Sequence, residues 1–232
     1  MFINILLYSI IVIYLLGFIF TLLTIFLEKK YIKKLNKIKV KKYKNIYVLL
    51  PALREQKIVA ETIFWFKNIK YNGTIKYIII TTEKEEYENK KNKVKEETTS
   101  QLVEKKLSEI KDSRFMHLHY PKTNGNKSSQ MNYAVDEILK TEEDLENTYI
   151  SVFDFDSKPE KNTFNDLNKV AKLRNNPDVI NQVPLCFKNY EKFSQDKSKI
   201  LLLLYTFQHT VRSCAIEKMK LLISSLTNLK VP

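Results

Sequence analysis

Four short apolar runs, each closed by a polar or turn-forming residue, alternate along this chain with segments whose apolar positions recur every three or four residues. The runs are Ile46–Leu50 (IYVLL, stopped by Pro51), Tyr77–Thr82 (YIIITT), Phe115–Tyr120 (FMHLHY) and Tyr149–Phe153 (YISVF). Their lengths and their β-branched or aromatic content predict strands. Val59, Thr62, Ile63 and Phe66 stand at i, i+3, i+4 and i+7, as do Met131, Ala134, Val135 and Ile138. Each set predicts a helix with one stripe facing a core. Asn72-Gly73 is a turn signal, and Thr163–Leu173 reads as another helix. A strand–helix–strand order implies parallel βαβ units, so the expected class is α/β with a mostly parallel sheet flanked by helices.

Other stretches are less regular. Glu83–Asp112 is dense in both signs of charge, with Leu102, Val103, Leu107 and Ile110 late in it. It predicts a flexible loop followed by an exposed amphipathic helix, with no chemistry assigned. Val179–Phe187 looks extended, interrupted by Pro184, and the chain from Lys199 to about Leu226 looks helical. Gln208, His209 and Arg212 make that last segment too polar to cross a bilayer.

Phe2–Leu27 changes the picture, because it contains no charged residue and only one glycine, Gly17. It exceeds the roughly 20 residues a helix needs to span a bilayer. A cleaved signal peptide would carry a basic residue before the apolar run and small residues after it, and neither is present. The expectation is an uncleaved anchor over residues 1–27. Residues 28–44 follow with nine lysines against one glutamate, and so carry eight of the thirteen net positive charges. Lysine on that flank alone predicts a single-pass protein of the cell membrane, its remaining residues 45–232 on the cytoplasmic side and its lysines beside anionic headgroups. What is left is only mildly basic and lacks the interleaved aromatic and basic residues that stack bases, so no nucleic-acid partner is expected.

Candidate chemistry concentrates in Tyr149–Pro159 (YISVFDFDSKP), where an apolar strand ends in Asp154 and Asp156. Side chains at i and i+2 of a strand share a face, and ligands of open α/β sheets bind beyond the carboxyl ends of the strands. Two hard oxygen ligands there suit Mg²⁺ or Mn²⁺ held jointly with phosphates. An Asx-rich turn closing the strand is the plainer alternative. His117 and His119 alternate on an apolar strand with no third ligand expected near them, which favours a half-exposed strand face over a metal site. Cys186 and Cys214 are too far apart for a zinc knuckle or redox pair and are expected to be reduced.

Three segments fall in a telling order: LLPALREQKIVAETI at 49–63, NGNKSSQMNYAVDEI at 124–138 and YISVFDFDSKP at 149–159. Together they resemble the amino-terminal half of a family 2 glycosyltransferase of the membrane-bound, cellulose-synthase-like and hyaluronan-synthase-like kind. The resemblance covers about residues 45–190. It implies a GT-A fold, Rossmann-like and here incomplete, that binds a nucleotide-sugar donor, in the first instance a UDP-sugar. Pro51, Ala52 and Glu55 match the first loop of the nucleotide pocket, where backbone N–H groups and the dipole of the next helix would face the ligand. Arg54 stands where many relatives carry asparagine. Lys127 matches a donor-contact lysine, and Asp154 and Asp156 match the Asp-x-Asp motif. The resemblance makes Asp156 the metal ligand and puts Asp154 on the ribose or a metal-bound water. Gln130 and Asn132 read as polar packing, outside the site.

Two departures qualify that likeness. Where many relatives end the second strand in paired aspartates, one of which recognises uracil, this chain has Thr81-Thr82-Glu83, leaving Glu83 as the nearest substrate-binding candidate. The family's catalytic carboxylate and its Gln-x-x-Arg-Trp type motif have no match before Pro232, so no catalytic base can be named. The expectation is the donor-binding half of an inverting, metal-dependent glycosyltransferase acting on a glycan or other envelope acceptor, truncated at its carboxyl end. The activity of this chain alone is left open. Two rivals stand beside it: a non-catalytic nucleotide-sugar-binding or scaffold protein at the inner membrane face, and a Mg²⁺-dependent phosphohydrolase, for which no nucleophile is evident. With three glycines in all and no glycine-rich loop, a Walker-type site is excluded.

Overall fold

The computed structural model describes residues 29–178 and 180, together with residues 8, 11, 12, 15, 19, 23 and 26. Apart from Ile180, the expected extended segment 179–187 lies outside the described residues, as do the expected helix from Lys199 and both cysteines. Lys39–Arg174 forms one compact unit. Its elements run β1 (Asn45–Pro51), α1 (Val59–Lys67), β2 (Ile75–Thr82), α2 (Glu83–Asn92), α3 (Thr99–Ile110), β3 (Phe115–Tyr120), α4 (Lys127–Thr141), a 3₁₀ turn (Leu145–Asn147), β4 (Thr148–Val152) and α5 (Thr163–Leu173).

The sheet has the order β3-β2-β1-β4 and every neighbouring pair is parallel. The chain adds β2 and β3 on one side of β1 and then returns to place β4 on the other. The order therefore reverses between β1 and β4, the position at which a crevice opens beyond the carboxyl ends of the strands. This is an α/β architecture compatible with a Rossmann-like fold.

Helices cover both faces, which explains why β1 and β2 are continuous apolar runs rather than alternating ones. Ile46, Val48, Leu50 and Ala52 pack on one face with Val59, Ile63 and Phe66 of α1, Val103 of α3 and Phe164 of α5. Tyr47, Leu49, Ile78 and Ile80 pack on the other with Ala134 and Ile138 of α4, flanked by Met131 and Val135. The buried positions of α1 are the stripe its spacing predicts: Val59, Thr62, Ile63 and Phe66. Phe66 lies 5.3 Å from the Tyr77 ring and 6.1 Å from Phe153, which ties α1 to the middle of the sheet. Helix α5 is locked to the entry of β1 by buried Asn168, whose Oδ1 accepts from Lys44 N (2.7 Å) while its Nδ2 donates to Tyr71 Oη (2.6 Å).

Glu83–Asp112 differs from its expectation. It is not a loop and one helix but two helices, α2 following β2 directly and α3 opening on a capping box. Thr98 Oγ1 accepts from Gln101 N and the Gln101 side chain accepts from Thr98 N, satisfying two amides that a helix start leaves unpaired. Outside the sheet unit, residues 29–36 are helical and carry exposed lysines, and Tyr8, Ile11, Val12, Leu15, Ile19, Leu23 and Phe26 are helical and exposed. Among the described residues no helix is long and apolar enough to cross a membrane. The expected anchor over residues 1–27 falls for the most part outside them.

Candidate functional site

An open cleft of about 500 Å³ lies at the carboxyl ends of β1 and β4, lined by Pro51, Leu53, Glu55, Lys84, Gly125, Asn126, Lys127, Gln130, Asp154, Phe155 and Asp156. Five residues expected at the site, Pro51, Glu55, Lys127, Asp154 and Asp156, therefore come together from three separate segments. Ala52 does not join them: it is buried in the core and its N–H donates to Ile80 O (2.9 Å). Its neighbour Leu53 reaches the cleft instead.

The aspartates project together for a reason slightly different from the expected one. Strand β4 ends at Val152, before either of them. Alternation nevertheless continues through the next four residues, with Phe153 and Phe155 buried and Asp154 and Asp156 exposed. The two phenylalanines are the anchors. Phe153 N donates to Leu49 O (3.1 Å), and Phe155 O accepts from Thr62 Oγ1 of α1 (2.8 Å). Ser157 N donates to Asp154 O (2.9 Å), so the segment is also the turn that the plainer reading anticipated. Turn and carboxylate pair coexist.

Glycine at 125 is required by close packing rather than by an unusual φ. A Cβ there would come within 2.4 Å of Tyr120 Cε1, so the Tyr120 ring rests on the loop that leads into α4. Asn126 then caps that helix, its Oδ1 accepting from Ser129 N (2.9 Å). Lys127, the first residue of α4, gains nothing from the helix dipole at that end. Its ammonium instead pairs with Asp154 across the cleft. Both side chains are more than half exposed, so the pair is worth no more than about 1 kcal/mol and is easily exchanged for another partner.

The first loop is held otherwise than expected. The amides assigned to a ligand are used inside the protein: Arg54 N donates to Glu85 Oε2 (3.1 Å) and Glu55 N to Thr99 Oγ1 (2.9 Å). Glu85, buried on α2, also accepts at Oε1 from Gln56 Nε2 (2.8 Å), Thr99 N (2.8 Å) and Thr99 Oγ1 (3.2 Å). Arg54 sits at φ 60°, a left-handed conformation that asparagine tolerates better than arginine, and its guanidinium pairs with Glu88 outside the cleft. Helix α1 begins only at Val59, after a turn in which Ile58 N donates to Glu55 O (3.0 Å).

Burial raises the Glu55 carboxyl above the ordinary glutamate range, and the negative charges of Asp156, Asp154 and Glu85 raise it further. Lys127 answers only Asp154, and among the described residues no ion pair is made to Asp156. A concave set of hard oxygen donors with surplus negative charge fits a divalent cation of the Mg²⁺ or Mn²⁺ type. The cleft carboxylates are not gathered into a three-ligand cluster, so such an ion would need further oxygens from a ligand or water.

A folded-state pKa above the unfolded value means that the native chain loses stability as pH rises from about 4.3, the ordinary glutamate value, through the raised one. Glu55→Gln is accordingly expected to be more stable than the parent at neutral pH, by less than about 1 kcal/mol for a part-exposed group. That gain should vanish below about pH 4, where both side chains are neutral. Melting temperatures of the two proteins across this range provide the check.

Glu83 is not among the residues lining the cleft. It stands at the first position of α2, with Oε2 3.2 Å from His119 Nε2. The expectation that His119 has no third ligand near it is corrected: Glu83, Glu86 and His119 bring their ligand atoms within 4.8 Å of one another. The parallel register that sets Thr81 beside His119 and Thr82 beside Tyr120 carries the start of α2 to the end of β3.

Comparison of the chain with family models, with characterised proteins and with solved structures finds no match.

Proposed function

We propose that this protein binds a nucleoside-diphosphate sugar with a divalent cation in the cleft at the ends of β1 and β4, as the donor-binding part of a membrane-anchored glycosyltransferase. What carries the reading is the convergence of Pro51, Glu55, Lys127, Asp154 and Asp156, drawn from three segments, on one cleft at the point where strand order reverses. A diphosphate presents the oxygens that complete the shell of a hard cation, and the surplus carboxylate charge calls for one. Asp156 with Asp154 would hold Mg²⁺ or Mn²⁺, which would neutralise the charge that builds on a departing diphosphate.

The chain's own residues bind and orient. Lys127 exchanges its exposed ion pair with Asp154 for a phosphate oxygen, which leaves Asp154 available to a ribose hydroxyl or a metal-bound water. Glu55 lines the same cleft, and a cation there would offset the neighbouring charges that raise its carboxyl. Leu53 gives the pocket an apolar wall. The uncharged apolar stretch Phe2–Leu27, followed by the lysine-rich residues 28–44, supports attachment to the cytoplasmic face of a membrane.

Calorimetric titration of the full chain in detergent micelles with UDP, GDP and ADP, with and without Mn²⁺, tests the proposal. At least one nucleotide is expected to bind only when Mn²⁺ is present, and Lys127→Ala should weaken that binding about tenfold, the loss of one charge-assisted contact. Binding of equal strength without the metal, or no binding of any of the three, would overturn it.

A further inference from the structure

We propose that Glu83, Glu86 and His119 form a second cation site, suited to a borderline divalent ion such as Zn²⁺ and separate from the aspartate cleft. The site sits where the first turn of α2 meets the end of edge strand β3, whereas Asp154 and Asp156 follow the opposite edge strand β4. Glu83 and Glu86 stand one turn apart on α2 and so share a face. One imidazole nitrogen and two carboxylate oxygens, with ligand atoms within 4.8 Å of one another, make a mixed donor set. Such a set favours Zn²⁺ over Mg²⁺, because imidazole is a poor partner for the harder ion.

A second observation, apart from that clustering, is the set of polar contacts that hold the far side of the imidazole. Thr81 Oγ1, fully buried, lies 2.7 Å from His117 Nε2 and 3.0 Å from His119 Nδ1. One hydroxyl proton cannot serve both nitrogens. His117 Nδ1 lies 3.4 Å from the carboxylate of Glu104, on the other side of its ring. The Thr81 hydroxyl donates to one of the two imidazoles and accepts from the other. Ser100 Oγ, 3.4 Å from His119 Nδ1, adds a second polar contact there. The opposite ring nitrogen, His119 Nε2, faces Glu83 Oε2, 3.2 Å away.

A Zn²⁺ ion bound at Nε2 and the two carboxylates would have Thr81 and Ser100 as the outer hydrogen-bond partners that orient a metal-binding histidine. The ion ties the first turn of α2 to β3, and so steadies the helix whose Glu85 holds the loop of Arg54 and Glu55. Three protein ligands leave at least one position for water or substrate.

The test is titration of the full chain in detergent micelles with Zn²⁺ and, as a spectroscopic probe, Co²⁺, without nucleotide. One Zn²⁺ should raise the melting temperature, and Co²⁺ should give visible absorption bands of a low-coordinate nitrogen and oxygen site. His119→Gln should abolish both, whereas Asp156→Ala should leave both intact. Should His119→Gln fail to fold, Glu86→Gln, at a half-exposed position of the first turn, must lower the Zn²⁺ affinity at least tenfold. The proposal is overturned if Zn²⁺ binding survives both of these substitutions, or if Asp156→Ala is the variant that removes it, which would assign the ion to the aspartate cleft. It is equally overturned if the parent protein binds no Zn²⁺. None of these outcomes depends on nucleotide binding in the other cleft.

Discussion

Asp156→Ala is expected to abolish Mn²⁺-dependent binding of nucleoside diphosphates, lowering affinity by about 100-fold or more, since even partners outside a metal's direct ligands cost 10- to 100-fold when removed. The choice of Asp156 over Asp154 follows from their surroundings. Asp154 already has a cation, the ammonium of Lys127, whereas among the described residues no ion pair is made to Asp156. Asp156 is also the strongest of the charges acting on Glu55, ahead of Asp154 and Glu85. The variant therefore loses a ligand and, in the same step, relieves repulsion within the cleft. Its melting temperature without metal should be equal to the parent's or slightly higher. That combination, intact folding with lost binding, separates a ligand from a residue needed for structure. Calorimetry with Mn²⁺ and the nucleotide that binds the parent reads the first effect and thermal unfolding the second. Unchanged affinity in Asp156→Ala would remove the proposed metal role of this residue, and a large fall in melting temperature would reassign it to the turn of Asp154–Ser157.

The strands were legible because their burial is local in cause. Both faces of β1 and β2 are covered, so IYVLL and YIIITT had to be apolar throughout, and the structure extends each by two residues or fewer. The α1 stripe was legible for the same reason. The meeting of Pro51, Glu55, Lys127 and the two aspartates was accessible through motif order alone. What the sequence could not display was the burial of a carboxylate. Glu85 lies in a stretch so charged that it reads as solvated, and the donors that satisfy it come from residues 54, 56 and 99. Their approach is fixed by packing rather than by spacing. A signal for α3 was present, since Thr98 and Gln101 have capping-box spacing, but the surrounding charge obscured it. The partners of His119 were likewise hidden in linear distance. Only the register of β2 against β3 shows that whatever follows Thr82 must stand beside the end of β3.

Glu85→Ala should be the most destabilising single change outside the apolar core, by about 3 kcal/mol. The side chain is 2 % exposed, yet it accepts from two backbone amides, one hydroxyl and one side-chain amide. Truncation leaves Thr99 N, at a fully buried residue, without its acceptor, and a buried donor left unpaired costs about 1–3 kcal/mol. The space vacated by the carboxyl and its methylenes adds a cavity term of similar size. Arg54 and Gln56 are nearer the surface and recover bonds to water, which keeps the total from rising further. For a chain of this length the loss corresponds to a fall in melting temperature on the order of 10 °C. Glu85→Gln discriminates the cause. It preserves volume, and its carbonyl still serves Thr99, but its NH₂ group must face the Arg54 amide, donor against donor. It should cost less than half as much as alanine while still loosening the backbone at Arg54, whose φ of 60° needs the bond from its N–H to stay fixed. Because that loop carries Leu53 and Glu55 into the cleft, both variants should also weaken nucleotide binding, although neither alters a residue that lines it. If Glu85→Ala melts within 2 °C of the parent, Glu85 does not hold the loop, and the position of Glu55 must then be set by the β1–β2 pairing alone.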